Sequence, residues 1–359
     1  MSRFLSKKYA NLTPYVPGEQ PKDLQYIKLN TNESPFAPPK AVQRAVQTES
    51  AKCHLYSDPT CSLLVNKTAE LYGVKPTQIL PTNGSDEILN FAFMAFCDKD
   101  TPAVFPDITY GFYEVFAQLQ GVPYKKIPLA KDFTINKQDY YNAKGTVFIA
   151  NPNAPTGIAL SKADVEDIVK NNPDNVVVID EAYVDFGGES AVSLIDKYEN
   201  LLVTQTFSKS RSLAGARLGL GFACESLTAC LNAMKYSTNP YNVNRMTERA
   251  GYVALCNQAY FDKNCKIICE NREYTRLALE QLGFSVLPSK TNFLFVTTEK
   301  MDGEALYKKL KQKGVLIRHL KGERTAKYNR VTIGTKKQMD VFLQKVKEIL
   351  KEQDDAKNV

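Results

Sequence analysis

The chain has 359 residues, 43% of them hydrophobic and 24% charged, which suits a globular enzyme of two domains or of one large domain with an appendage. Its 46 basic and 39 acidic residues leave a net charge of +7 without any basic block; this argues against a nucleic-acid arm and for a small anionic ligand. No apolar run approaches ~18 residues, so a soluble, cytoplasmic protein without a membrane partner is expected, and eight scattered cysteines with only two histidines leave little for disulfides or a metal site.

Residues 1–40 contain Leu12-Thr-Pro-Tyr15-Val-Pro-Gly18 and Asn30-Thr-Asn-Glu-Ser-Pro-Phe-Ala-Pro-Pro39, which predict an extended arm with little room for a helix. From about residue 60, short apolar runs alternate with helical stretches. Candidate strands are Ala103 to Phe105, Tyr124 to Leu129, Thr146 to Ala150, Val176 to Ile179, Leu201 to Thr204 and Leu218 to Ala223. Their continuous apolar character predicts burial on both faces, hence an α/β fold with a mostly parallel central sheet flanked by helices. After about residue 240 a long helical stretch runs to Leu282. It is followed by a strand at Thr291 to Val296, a helix at Gly303 to Lys313, strands at Val315 to Arg318 and Arg330 to Ile333, and an amphipathic terminal helix. This predicts an arm, 1–40, joining a small α+β domain, 246–359, with a large domain at 41–245.

Polar motifs fall where the predicted strands end. Thr204-Gln-Thr-Phe-Ser-Lys-Ser-Arg-Ser-Leu-Ala-Gly-Ala-Arg217 follows a buried strand and sets Thr206, Ser208 and Arg217 around Lys209. A lysine among hydroxyls and a guanidinium meets the needs of a Schiff-base cofactor with a phosphate tail. Pro81-Thr-Asn-Gly-Ser85-Asp86-Glu precedes an apolar helix, so Ser85 is either a phosphate contact at a helix N-terminus or an ordinary cap. Tyr110 sits on the loop after the predicted strand Ala103 to Phe105, able to stack on a ring or simply to pack. Asn151-Pro-Asn153-Ala-Pro-Thr-Gly157 is a proline-rich turn that could aim an asparagine inward, although turn chemistry accounts for it equally. Asp180, ending Val176-Val-Val-Ile179, puts a carboxylate where burial is costly without a cationic partner.

In that order the motifs resemble the fold-type-I pyridoxal-phosphate aminotransferases, and within them the histidinol-phosphate aminotransferases, over essentially the whole length. The resemblance implies that Lys209 forms the cofactor imine and acts as proton carrier, Asp180 pairs with the ring nitrogen, and Tyr183 bonds the ring's phenolic oxygen. It implies a phosphate cup from Ser85, Asp86, Thr206, Ser208 and Arg217, with Tyr110 stacking on the ring. Tyr56 would reach the cofactor of a second subunit, making the enzyme a homodimer. Tyr15, Arg318 and Arg330 would contact the substrate, with a surface role for Arg318 an equal alternative on residue grounds. Many aminotransferases carry asparagine where this chain has Ala154, so either Asn153 or Tyr183 alone takes that role, or the phenolic oxygen is less well supported here; Asn153 is carried over on that footing. The implied reaction converts L-histidinol phosphate and 2-oxoglutarate to imidazole-acetol phosphate and L-glutamate in histidine biosynthesis, with no metal. Aromatic-amino-acid aminotransferases and threonine-phosphate decarboxylases share the same cofactor motifs. A nucleotide-binding dehydrogenase would need Gly-x-Gly-x-x-Gly between a strand and a helix, and the glycines at 215, 219 and 221 do not provide it. A regulator would need a DNA-binding module, for which no segment remains.

Overall fold

The computed structural model describes residues 3–10 and 12–357; Met1, Ser2 and Asn11 of the expected arm, and Asn358 and Val359 of the expected small domain, lie outside the described residues. Seven strands form the central sheet, in the spatial order Ile79–Thr82, Gly219–Ala223, Leu201–Thr206, Val177–Asp180, Thr146–Ala150, Ala103–Pro106, Tyr124–Ile127. All pairings are parallel except the two made by Gly219–Ala223. Successive side chains alternate between two apolar cores: Val177, Ile179, Leu201 and Val203 face one, and Phe148, Val178 and Leu202 the other. Helices cover both faces, which is why these strands read as unbroken apolar runs. The expected α/β architecture is present.

The strand directions bring functional segments to one edge. Strands ending at Thr82, Pro106, Ala150, Asp180 and Thr206 all finish there, and the antiparallel strand starts there, with Gly219 opposite both Thr82 and Thr206. Ligands in open α/β sheets bind outside this edge.

A second sheet is antiparallel, in the order Arg318–His319, Asn329–Thr332, Phe293–Thr297, Ser285–Val286. With the helices Gln258–Gln281, Gly303–Gln312 and Lys336–Lys357 it encloses a separate core around Phe293, Val331, Met339 and Phe342. The arm meets this unit through Ile27–Lys28, which pairs in parallel with Val315–Leu316. The expected strand from Val315 to Arg318 is therefore two short strands serving different sheets.

Other details differ from the sequence expectation. The long helical stretch after about residue 240 is two helices, Arg245–Leu255 and Gln258–Gln281, preceded by a further helix, Glu225–Thr238. Ala250, Ala254, Leu255 and Phe261 belong to the core of the large sheet, and Cys265 and Ile268 to the second core, so the change of core falls within the Gln258–Gln281 helix. Lys40–Ser50 is a helix capped by Pro39, and it packs along Arg245–Leu255. Its apolar residues, Val42 and Val46, give only a thin stripe among polar neighbours.

Candidate active site

Two cavities open at the sheet edge, an inner one of about 100 Å³ and an outer one of about 600 Å³, and both are lined by Tyr110, Ala154, Tyr183 and Lys209. The inner cavity also gathers Ser85, Asp86, Asp180, Thr206, Ser208 and Arg217, nearly the whole set expected to hold a cofactor.

At its phosphate end, Ser85 and Asp86 begin the helix Ser85–Phe96. Amide groups in a first turn lack intrahelical acceptors and favour an anion. Arg217 donates to Asp86 (2.8 Å) and approaches Ser208 Oγ (3.4 Å), while Thr206 Oγ donates to Ser208 Oγ (3.0 Å). Two glycines keep this cradle open. A Cβ on Gly84, at φ +83°, would meet Arg217 Nη2 at 2.6 Å, and one on Gly219 would meet Ser85 N at 2.4 Å. The Asp86 carboxylate also accepts from the Tyr110 hydroxyl at 2.7 Å, which tethers that ring to the wall. Burial, with the Asp86 charge beside it, raises the Tyr110 pKa well above its ordinary value.

At the opposite end Asp180 is only 4% exposed. Oδ2 accepts from the Tyr113 hydroxyl at 3.2 Å, but Oδ1 has no partner among the described residues. Burial, reinforced by Asp86, pushes its carboxyl up to about 7. Glu181, next in the chain, makes the contrast. Burial raises it to about 7 as well, yet it accepts from Ala191 N–H, Ser190 Oγ and Gln205 Nε2 at 2.6–2.8 Å. Glu181 is satisfied and structural; Asp180 has an acceptor left over in a cavity. A cationic ring nitrogen is the partner that this atom lacks. With the cradle for a phosphate, the residues fit pyridoxal phosphate.

Lys209 stands between the two cavities. Nζ donates to the Thr31 carbonyl oxygen at 3.3 Å and lies 5.7 Å from the Tyr183 ring centroid. It makes no salt bridge among the described residues, so its amine is not tied to a carboxylate.

Asn153 is a correction. Its Nδ2 donates to the Ile108 carbonyl (3.0 Å) and Thr156 Oγ (3.1 Å), and its Oδ1 accepts from Thr109 Oγ (2.8 Å). The turn uses the whole amide to hold the 108–109 loop, and the cavity wall at this point is the methyl group of Ala154. Tyr56 lies away from both cavities, 78% exposed and stacked on Tyr241 at 4.5 Å.

In the outer cavity, Arg318 and Arg330 are direct cross-strand neighbours. Like charges placed opposite one another are destabilising unless an anion joins them. Neither arginine has a carboxylate partner among the described residues; Arg330 Nη2 donates to the Asn30 carbonyl (3.0 Å), and Arg318 reaches only the Val16 and Pro17 carbonyls (3.3 and 3.4 Å). Arg330 Nε is buried and unpartnered, and burial lowers this guanidinium's pKa. Tyr15 forms part of the same wall, stacked on Phe112 at 4.3 Å.

Residues that sequence reasoning left unassigned complete the site. Tyr113 is a fully buried helix residue whose only signal was the demand of Asp180 for a donor. Asn30, Thr31 and Asn32 lay in the arm, read as merely extended. Arg324, on the loop after Arg318–His319, donates to the Leu129 and Ala130 carbonyls (2.9 and 2.6 Å) and approaches Asp107 (3.4 Å). It thereby fastens the small unit's loop across the outer cavity.

Residues 25–346 match the family described as aminotransferase class I and II. The chain is 49% identical to a histidinol-phosphate aminotransferase of Brachyspira hyodysenteriae, across 98% of this chain and all of that one. It is 46% identical to histidinol-phosphate aminotransferase 1 of Pseudomonas fluorescens, across 96% of this chain and 98% of that one. A crystal structure of histidinol-phosphate aminotransferase from Sinorhizobium meliloti, in complex with pyridoxal-5'-phosphate, has the same fold: TM-score 0.84, 23% identity, 91% of this chain and 92% of that one.

Proposed function

The chain belongs to the aminotransferase class I and II family, and from that premise we propose that it is a pyridoxal-phosphate-dependent transaminase moving the amino group of L-histidinol phosphate to 2-oxoglutarate. The observation that carries this reading is the cross-strand pair Arg318 and Arg330, which makes no salt bridge among the described residues and faces a cavity that reaches Lys209. A phosphate monoester in one half-reaction and a dicarboxylate in the other both bring an anion to that pair.

When bound, pyridoxal phosphate supplies an electron-withdrawing ring that stabilises negative charge on the substrate carbon. The protein's residues supply everything else. The amides opening the Ser85–Phe96 helix, the hydroxyls of Thr206 and Ser208 and the Arg217 guanidinium orient the phosphate. The open oxygen of Asp180 holds the proton of the ring nitrogen, and a cation there brings the carboxylate back from its raised pKa to its charged form. Lys209 Nζ carries the proton to and from the substrate carbon. Arg330 and Arg318 anchor the substrate's far end, so the reacting carbon is presented to Nζ in a fixed orientation.

The working unit is a cytoplasmic homodimer. Leu55, Tyr56, Leu63 and Tyr241 are large apolar side chains left exposed, with Tyr56 stacked on Tyr241, and Tyr56 serves the phosphate end of the second subunit's site. Mixing Tyr56→Ala with Lys209→Ala subunits should then regain activity over either parent, and mixed dimers with no gain would remove Tyr56 from the site. Substrate identity is tested by comparing amino donors with 2-oxoglutarate as acceptor. L-Histidinol phosphate should lead; faster turnover of phenylalanine or tyrosine would make the enzyme an aromatic aminotransferase, and carbon dioxide release from threonine phosphate would make it a decarboxylase.

A further inference from the structure

Three consecutive residues of the arm meet three functional side chains. The Asn30 carbonyl accepts from Arg330, the Thr31 carbonyl accepts from Lys209, and the Asn32 amide meets the Tyr183 hydroxyl at 2.9 Å. The third contact has a direction. Asn32 N–H donates to Thr332 Oγ at 3.0 Å, and the hydrogen of that hydroxyl goes back to Asn32 Oδ1 at 2.9 Å. With Oδ1 occupied, the face turned to Tyr183 is Nδ2, which can only donate. The Tyr183 oxygen is therefore an acceptor from Asn32, and its own hydrogen must point elsewhere. Among the described residues no acceptor meets it, and the ring lines both cavities.

We infer that Asn32 is a positioning residue which turns the hydroxyl hydrogen of Tyr183 into the cofactor cavity. The neighbouring wall gives this orientation its importance, because Ala154 offers no polar side-chain atom and Asn153 commits its amide to the 108–109 loop. Tyr183 is left as the hydroxyl on that side able to support a phenolic oxygen of the cofactor. Asn32 is 1% exposed and sits at φ 56°, a left-handed conformation that asparagine tolerates better than most residues. A backbone role alone would be served as well by glycine. A role through Tyr183 would not.

The inference rests on pyridoxal phosphate occupying the inner cavity, and the test separates the two. The measurement is the pH midpoint at which the visible absorbance of the bound cofactor changes, with thermal unfolding followed in parallel. A donated hydrogen stabilises negative charge on the phenolic oxygen and so favours the form with fewer protons. Asn32→Gly should raise the midpoint by about one unit, a tenfold change in proton affinity. In a Tyr183→Phe background the same substitution should leave the midpoint within about 0.2 unit, since coupled residues lose their interaction once one partner is gone. Equal shifts in both backgrounds, or none in the presence of Tyr183, would overturn the inference. Should Asn32→Gly fail to fold, Thr332→Val tests the relay from its other end: a smaller upward shift that needs Tyr183 supports it, and an unchanged midpoint refutes it. Wild-type protein that binds no pyridoxal phosphate would overturn the cofactor reading and this inference together.

Discussion

The inner and outer cavities share a lysine and differ in how the fold makes them. The inner one is framed by the ends of parallel strands, so each wall residue is set by a buried strand directly behind it: Asp180 by Val177–Asp180, Thr206 by Leu201–Thr206. The outer one is assembled from the arm, the 107–111 loop and the small unit's Arg318 to Arg330 segment. No single sheet holds it together, and Arg324 bridges the parts by donating to carbonyl groups of the larger unit. The difference separates chemistry from recognition. The sheet edge fixes the groups that act on the cofactor, while segments from separate parts of the chain carry the groups proposed to choose the substrate.

The largest expected effect would break the inner cavity. Lys209→Ala should lower turnover by at least about 10⁴-fold, since proton carriage and nucleophilic attachment are lost together. Cofactor held through Arg217 and Ser85 should remain, measured by absorbance after gel filtration. Retained turnover would relocate the proton carrier.

Asp180→Asn probes the same cavity without substrate. A carboxyl raised to about 7 binds a proton more tightly in the folded than in the unfolded chain, so cofactor-free wild-type protein loses stability relative to the variant as pH rises from about 4 to about 7. Above that range the variant should be more stable by at most roughly 4 kcal/mol, while binding pyridoxal phosphate more weakly. Thermal melts of both cofactor-free proteins across this range check the sign, and parallel curves would mean that Asp180 is paired after all.

In the outer cavity, Arg330→Ala should reduce kcat/KM for L-histidinol phosphate by about ten- to a hundred-fold, the equivalent of roughly 1.5–3 kcal/mol. Histidinol should lose far less, so the preference for the phosphate collapses. Both half-reactions should suffer, and loss in only one would give the two substrates separate arginines. The smallest effect belongs to Arg324→Ala, a KM increase of up to about tenfold. It should fall equally on histidinol and its phosphate, because Arg324 fastens a loop and is not proposed to read the anion. A selective loss on the phosphate would move Arg324 into the anion slot.

The same division explains what could be read from residues alone. Asp180, Thr206 and Lys209 follow apolar strands directly, and a polar residue ending such a run demands an explanation. Arg324 belongs to no periodic pattern and acquires its role from carbonyl groups almost 200 positions away. Asn32 looked like part of a proline-rich extension, because a left-handed φ leaves little trace beyond the choice of asparagine. Asn153 misled for the opposite reason: the turn that displays it also consumes its hydrogen bonds. The Lys40–Ser50 helix goes unread because its buried face is only a thin stripe among polar residues.

The arm's course has a consequence for proteolysis. Ile27–Lys28 is seated on the small unit's Val315–Leu316, Asn30 to Asn32 pass under Lys209, and the Lys40–Ser50 helix lies on the larger unit. A single cut between Ser34 and Pro39 severs no strand and no helix. Both cores would survive it, and circular dichroism would scarcely register the nick. The stretch carrying Asn30, Thr31 and Asn32 would then lose its covalent tie to the larger unit and keep the hydrogen bonds of Thr31 to Lys209 and Asn32 to Tyr183 on that side. Such an enzyme would look folded by every bulk measure and still mispresent its lysine, so intact mass is the measurement that should accompany any preparation with unexplained low activity.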